Sequence, residues 1–372
     1  MFKNIVLNIR KLNHRRIDFF RYVRTHFLVF LLNQKNKLFG LSKDSKKPKA
    51  VILRLDGKLG DTITITGLYK ELVDAGYELT VITRDHQSFI YDYISTPMTV
   101  FKIKNILSTI LLLFKLKKHK FDVLICTTHL LDPSSLLLAR FLKSYKKAVF
   151  LNQKIRFFDY HVVDQFEEIH ITERYNRILK SVGLQPKGDV FNYYLKTPIL
   201  SENKYAVDLE MLKSNKVIVL NSFAGSSDRN LKKELTANII EKVLKQNPNH
   251  IVVSIGSSFD HSTLKAWESD YKNKFGDRWK ILSNGDFALN YWAINMADLI
   301  ISPDTAIIHL ASALNKKIVG IYRVARNIDE FPYVWAPLSG QNQFKIVYAY
   351  NGQIDLINPD LISQITADLI AN

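Results

Sequence analysis

Hydrophobic and polar positions follow a regular order over most of the chain. Apolar, β-branched runs at 50–55, 121–126 and 148–151, with an alternating stretch at 78–83, predict strands. Segments with apolar residues three and four apart, at 61–75 and 133–143, predict helices between them. The order lapses over 151–213, where one helix, 172–182 closed by Gly183, precedes Pro186, Gly188 and Pro198. It then restarts. Strands at 216–221, 251–255, 298–302 and 317–322 alternate with helices at 232–246, 261–275 and 305–314, and 359–371 reads as a closing helix. Strands that alternate with helices build parallel βαβ units, so the chain is expected to be α/β with two Rossmann-like halves. The expected divisions are an arm over 1–48, domains over 49–200 and 201–352, and a terminal helix over 353–372.

Composition narrows the class without changing the fold. A chain of 372 residues has room for two cores without disulfides or metals. At 47% hydrophobic and 23% charged residues it is neither a disordered chain nor a polytopic membrane protein. Its one cysteine, Cys126, falls within an expected buried strand and has no partner for an internal disulfide, which points to a reducing compartment. The apolar run at 27–32 is too short for a signal-peptide core, and that at 106–114 is too short to span a bilayer, which needs about 20 residues. Neither export nor a transmembrane helix is expected.

Charge is unevenly placed. Of a formal net +17, residues 1–50 supply +11, from 13 Lys and Arg against Asp18 and Asp44. Within them Ile17, Phe20, Val23, Phe27, Phe30 and Leu31 recur at helical spacing beside Arg16, Arg21 and Arg24. Such a basic amphipathic helix lies on an anionic membrane surface, or packs on the protein's own core with a solvated basic rim. Nucleic acid is not the expected partner. A second cluster, Lys115, Lys117, Lys118 and Lys120, follows the apolar run at 106–114. It reads as a helix C-terminus, where cations are favoured, or as a further anionic contact.

In open α/β sheets ligands bind beyond the carboxyl ends of strands, which directs attention to three loops. The first, residues 54–62, holds Gly57, Lys58, Gly60 and Asp61. Its glycines allow close approach of a ligand, and Asp61 is either a helix N-cap or a general base toward a hydroxyl. Its glycine spacing does not fit a dinucleotide fingerprint. The second, residues 221–233, offers Ser222, Gly225, Arg229, Lys232 and Lys233. Cations at a helix start oppose the helix dipole, which favours an anionic ligand there. In the third, residues 302–309, Asp304 or Thr305 caps a helix whose free N–H groups suit an anion. His309 either turns toward that pocket or is a packing residue. No cluster of His, Cys and Asp has metal-ligand spacing.

Taken in this order, the three loops resemble glycosyltransferase family 9, the ADP-heptose:lipopolysaccharide heptosyltransferases. The matching pieces are 59–62 after the first strand, the strand 120–125, the loop 221–225, and the most specific, residues 304–314. The likeness runs from about residue 49 to the end. It implies a GT-B fold, two Rossmann-like domains facing an interdomain cleft, with the basic helical arm as an addition. It implies inverting transfer with neither a metal ion nor a cofactor, the nucleotide-sugar being a substrate. Asp61 matches the family's proposed general base, with Lys58 and Gly60 expected on the acceptor side. Asp304, Thr305 and Ala306 match the loop holding the donor's sugar and diphosphate, and His309 matches the family's histidine on that helix. Ser222 and Gly225 belong to the expected donor loop. Arg229 and Lys232 are nearest to the lysine that steadies the leaving diphosphate, and Asp260 is nearest to the acid that meets the ribose. Ala306 stands where many heptosyltransferases have Gly.

The expected activity is transfer of a sugar, heptose first, from a nucleotide-diphosphate donor such as ADP-heptose. The expected acceptor is an anionic lipid-linked saccharide of the lipopolysaccharide core or a related surface glycan. The enzyme would then be cytoplasmic, held on the inner membrane by the basic arm. One alternative is the same fold using another nucleotide-sugar for capsule or O-antigen; another is a non-catalytic basic protein that binds membrane or nucleic acid.

Overall fold

The computed structural model describes residues 23, 25, 27–33, 47–127, 132–150, 155–162, 169–200, 202–324, 333–338, 343–349 and 354–371. Most of the basic arm, including Arg16, Ile17, Phe20, Arg21 and Arg24, lies outside them; residues 27–32 are helical. The described residues fall into two compact units. The first lies within Met1–Lys58, Gly67–Glu167 and Thr172–Val190, the second within Leu59–Thr66, Glu168–Ile171 and Phe191–Asn372.

The first unit is a six-stranded parallel sheet. Its strands are β1 (Lys49–Arg54), β2 (Glu78–Arg84), β3 (Thr99–Ile103), β4 (Lys120–Cys126), β5 (Lys143–Val149) and β6 (Tyr160–His161), in the order β3-β2-β1-β4-β5-β6. Its helices include α2 (Thr66–Asp74), α3 (Ile106–Leu116), α4 (Pro133–Phe141) and α5 (Ile171–Ser181). Ala50 to Leu53 are all fully buried, as expected of a central parallel strand with both faces covered.

The second unit repeats the plan. Its strands β7 (Lys216–Asn221), β8 (His250–Ile255), β9 (Trp279–Ile281), β10 (Leu299–Pro303), β11 (Lys317–Arg323) and β12 (Phe344–Ala349) run in the order β12-β11-β10-β7-β8-β9, all parallel. Counted within each unit, both sheets have the order 3-2-1-4-5-6 of a dinucleotide-type Rossmann sheet. Helices α6 (Glu202–Lys213), α7 (Lys233–Gln246), α8 (His261–Asp270), α9 (Lys272–Phe275), α10 (Phe287–Met296), α11 (Ala306–Ala313) and α12 (Pro359–Ala371) belong here, as does the short α1 (Leu59–Thr64). The closing helix α12 joins the core of this unit through Ile362 and Leu369, and Ser363 donates to the Lys242 carbonyl at 2.7 Å. The architecture is the two-sheet α/β plan expected of the GT-B class.

Several elements differ from expectation for identifiable reasons. The helix expected over 61–75 is two helices, α1 and α2. Here the run Thr62-Ile63-Thr64-Ile65-Thr66 places hydroxyls against the backbone, Thr64 Oγ1 on the Asp61 carbonyl at 3.0 Å and Thr66 Oγ1 on Ile63 at 2.7 Å. Asp61 is therefore inside α1 and not its cap. The helix expected over 261–275 breaks at Tyr271 (φ −107°, ψ 12°), whose ring packs on Phe275 and Trp279. The helix expected over 133–143 stops at Phe141 because Leu142 is extended and Lys143 opens β5. Strands β3, β6, β9 and β12 and helices α6 and α10 were not anticipated. Among the described residues no helix is long and apolar enough to cross a membrane.

Candidate active site

The site lies in the second unit, beyond the carboxyl ends of β7 and β10, the neighbouring strands at which the strand order reverses. Asn221, buried at the end of β7, organises it. Its Nδ2 donates to Ser302 Oγ at 3.0 Å, to Thr305 Oγ1 at 3.3 Å and to the Phe223 carbonyl at 2.9 Å, while Oδ1 accepts the Phe223 N–H at 3.2 Å. One amide thus ties the loop after β7 to the loop after β10. Thr305 is the N-cap of α11, its Oγ1 accepting the Ile307 N–H at 3.2 Å.

With Thr305 as cap, the Asp304 carboxylate is left to meet Arg229. Arg229 Nη1 donates to Asp304 Oδ2 at 3.1 Å and to its carbonyl at 3.0 Å, and Nε donates to Ser226 Oγ at 3.1 Å. Two expected donor residues from separate loops are therefore brought together at the start of α11, where unpaired amides carry partial positive charge. Nearby Asp228 pairs with Arg323. The Ser226 hydroxyl, and after it Arg323, hold the Asp228 carboxyl below the usual carboxylate range.

Other expected donor residues are placed differently. Lys232 is the N-cap residue of α7 and its amine pairs with Asp355, while Lys233 pairs with Asp270. These carboxylates answer the cations at the helix start, so those lysines need no bound anion to offset the dipole. The Ser222 hydroxyl is fully buried and shares a 3.1 Å hydrogen bond with Thr236, which turns it into the core. Gly225 is exposed, and the nearest neighbour to an added Cβ there would be Arg229 Nη2 at 3.8 Å, ordinary contact. Asp260 is folded onto its own loop, accepting from Ser257 Oγ at 2.6 Å and Ser257 N at 3.1 Å. Lys58 is exposed at the end of the first unit's leading segment.

Helices α1 and α11 meet through the absence of a side chain. A Cβ on Gly60 would stand 3.0 Å from His309 Cδ2 and 3.3 Å from Ala306 Cα. Gly60 was expected to admit a ligand; here its bare backbone admits α11. The next residue, Asp61, is 8% exposed and lies within electrostatic reach of His309. Burial pushes the His309 imidazole down to about 4, Asp61 acting against that shift and His170 adding to it. His309 is therefore neutral at physiological pH, and its Nδ1 has no hydrogen-bond partner among the described residues. His170 Nε2 lies 2.8 Å from the Ala336 carbonyl, and its ring meets Tyr333 edge-on.

Asp61, His309 and His170 thus form one cluster beside the anion-suited start of α11. A buried carboxylate next to a neutral imidazole can accept a proton, and the amide-rich helix start with Arg229 can receive developing negative charge. His170 and Asn290 lie outside the three loops that the sequence singled out, and Asn221, although it opens the second of them, was given no role there. Asn290 Nδ2 donates to the Gly256 carbonyl at 2.8 Å, while its Oδ1 is buried without a partner among the described residues. Asn221 had a legible signal, a polar side chain closing an apolar strand at its carboxyl end. His170 sits in the stretch where periodicity fails. Among the described residues no group of three or more His, Cys, Asp or Glu is placed to hold a metal ion.

Comparison with known proteins gives a consistent outcome. The family model described as Glycosyltransferase family 9 (heptosyltransferase) matches residues 111–347. "Putative lipopolysaccharide heptosyltransferase 4" of Escherichia coli (strain K12) is 24% identical over 341 residues, covering 87% of this chain and 88% of that protein. A glycosyl transferase family 9 crystal structure from Veillonella parvula DSM 2008 superposes with a TM-score of 0.71 at 16% identity, covering 90% of this chain and 99% of that one. The E. coli ADP-heptose lps heptosyltransferase II superposes with a TM-score of 0.67 at 16% identity, covering 87% and 99% respectively.

Proposed function

The chain belongs to glycosyltransferase family 9, and from that premise we propose that it moves a heptose from ADP-heptose to an anionic lipid-linked saccharide of the lipopolysaccharide core, with inversion. Membership in a family of sugar-transferring enzymes sets aside the non-catalytic reading of the basic charge. The names of the E. coli relatives support the donor and acceptor, and the net positive charge suits an anionic acceptor at the cytoplasmic face of the inner membrane.

The observation that most directly supports the chemistry is the buried Asp61 carboxylate beside a neutral His309, next to the start of α11. In the proposed step Asp61 takes the proton of the acceptor hydroxyl as its oxygen bonds to the anomeric carbon. The bond from that carbon to the diphosphate breaks, and its electron pair leaves with the nucleoside diphosphate. The α11 amides and Arg229 receive that charge, without a metal ion or cofactor. A neutral imidazole leaves the Asp61 charge available as a base, where an imidazolium would neutralise it. In this reading Asp304, Thr305 and Ala306 hold the donor, Asp260 is assigned to its ribose as the nearest match to the family's acid, and Lys58 and Gly60 are assigned to the acceptor.

A second reading rests on Ala306, whose methyl group stands at the first turn of α11 where many heptosyltransferases carry Gly. It keeps the reaction and changes the donor to another nucleotide-sugar, for capsule or O-antigen. Thermal-shift and calorimetric titration with ADP-, UDP-, GDP- and CDP-sugars separates the two, because a ligand of the folded state raises its melting temperature. Selective stabilisation by ADP-sugars supports the first. In the same protein Asp61→Asn is expected to lower turnover by about 100-fold or more while the melting temperature holds. Full turnover in that variant would remove Asp61 from the mechanism.

A further inference from the structure

We infer that the solvent face of α3, in the first unit, is a docking surface for an anionic lipid interface. This helix is held firmly. Asn105 and Ser108 form a capping box at its start, and Thr109, Leu112 and Leu116 are buried against the core. Its opposite face is apolar as well: Leu107, Leu111 and Phe114 are 65%, 61% and 66% exposed, with Ile106 and Ile110 beside them. A helix that is apolar all round is ordinarily buried on every side, and here only one side is.

Residues 27–32 repeat the arrangement on the same core. Val29 is buried in the cluster that holds Leu112 and Leu116, Leu28 and Leu32 pack against it, and Phe27, Phe30 and Leu31 face solvent. Exposed lysines border α3 at both ends, Lys102 and Lys104 before it, and Lys115, Lys117, Lys118 and Lys120 at and beyond its last turn.

The charge selects the occupant. An interface rich in anionic headgroups takes the leucines and phenylalanines to the acyl boundary and the lysines to the phosphates. A second copy of the chain would bring one lysine border against another, and a nucleic acid would use the lysines while leaving the leucines wet. The inference concerns the first unit alone and depends neither on the donor nor on Asp61.

The test is sedimentation of the full chain with vesicles of phosphatidylcholine alone or mixed with phosphatidylglycerol, without any nucleotide-sugar. Binding is expected to the mixed vesicles and to weaken with salt. Leu107→Ser, Leu111→Ser and Phe114→Ser together are expected to lower it on the order of 100-fold at an unchanged melting temperature. Should that triple variant not fold, the single change Leu111→Trp reports instead, its fluorescence quenched by brominated lipid beyond the quenching of the wild-type tryptophans. Undiminished binding by a folded triple variant, which would move the contact to the basic arm, overturns the inference. So does an unquenched indole at 111, or a concentration-dependent dimer that these substitutions abolish in a chain that binds no vesicle.

Discussion

Gly60 and His309 are in such close contact that one added carbon would force its neighbours to give: a Cβ at residue 60 would stand 3.0 Å from the imidazole Cδ2, a few tenths of an ångström too near. The Ala306 backbone bounds the other side at 3.3 Å, so the strain cannot be relieved by a side-chain rotation alone. Gly60→Ala is expected to push α1 away from α11 and to carry Asp61, the next residue, with it. Overpacking of this kind costs about 1–3 kcal/mol, and the small shift it forces on a reacting group lowers the rate by less than the roughly 100-fold that a displacement of about 1 Å costs. Melting curves and steady-state turnover on the same preparation check this. Turnover should fall further than the loss of folded protein explains, and a variant with wild-type turnover would detach the helix contact from catalysis.

His309 also predicts how stability follows pH. In the unfolded chain an imidazole titrates near 6.5, and in the folded protein burial brings it down to about 4. Between those values the unfolded state binds a proton that the folded state refuses, so the contribution is full above 6.5 and is lost as pH falls toward 4. The difference of about 2.5 units corresponds to about 3 kcal/mol. Denaturant titrations of the wild type and of His309→Gln at neutral and mildly acidic pH isolate this share from that of the carboxylates. The variant should lose less stability on acidification, and parallel slopes would mean that the ring is charged in the fold.

Much of this architecture was legible because both central strands are buried on two faces and so read as unbroken apolar runs. β1 and β7 were placed within a residue at most of their ends. β5 was not, because Lys143-Ser144-Tyr145-Lys146-Lys147 reads as a polar stretch. Lys147 is nevertheless buried, its Nζ donating to the Ala139 carbonyl at 2.6 Å and its amine brought down to about 8 by burial. A lysine that closes a neighbouring helix end is indistinguishable in sequence from one in solvent. In the site, loop position singles out the third loop and Asp61, which the structure places on adjoining helices, while the partners of Gly60, Arg229 and Lys232 could not be read. Those depend on what lies opposite in space, α11 for Gly60, Asp304 for Arg229 and Asp355 for Lys232.

That separation of the two cations makes a prediction about donor affinity. Arg229 bridges the loop after β7 to Asp304 at the head of α11, whereas Lys232 pairs with Asp355 on an exposed surface. Arg229→Gln is expected to weaken nucleoside diphosphate binding by about 10-fold or more, through loss of a charge-assisted contact. Lys232→Gln should change it less than about 3-fold, and stability by no more than about 1 kcal/mol, as for other exposed ion pairs. Isothermal titration with ADP and with the other nucleoside diphosphates checks both. Equal losses in the two variants would place the diphosphate along the loop after β7 and not at the head of α11.

The first unit contains a comparable dependence on one carboxylate. Glu71, on α2 and 5% exposed, accepts three successive backbone N–H groups, from Lys187 at 3.0 Å, Gly188 at 2.8 Å and Asp189 at 2.7 Å. Gly188 has φ +106°, a backbone conformation that side chains rarely adopt, and it turns these three donors toward one acceptor. A carboxylate can satisfy all three, but a carboxamide has one acceptor oxygen and presents N–H donors where the other stood. Glu71→Gln is therefore expected to cost about 1–2 kcal/mol, from a part-buried donor left facing the carboxamide N–H. The loss should be local as well as global. Amide hydrogen exchange at 187–189 should accelerate more than exchange in β1 or β4, because the segment loses its anchor while the sheet keeps its ladder. Uniform acceleration throughout the unit would mean that Glu71 supports the whole fold and not this segment.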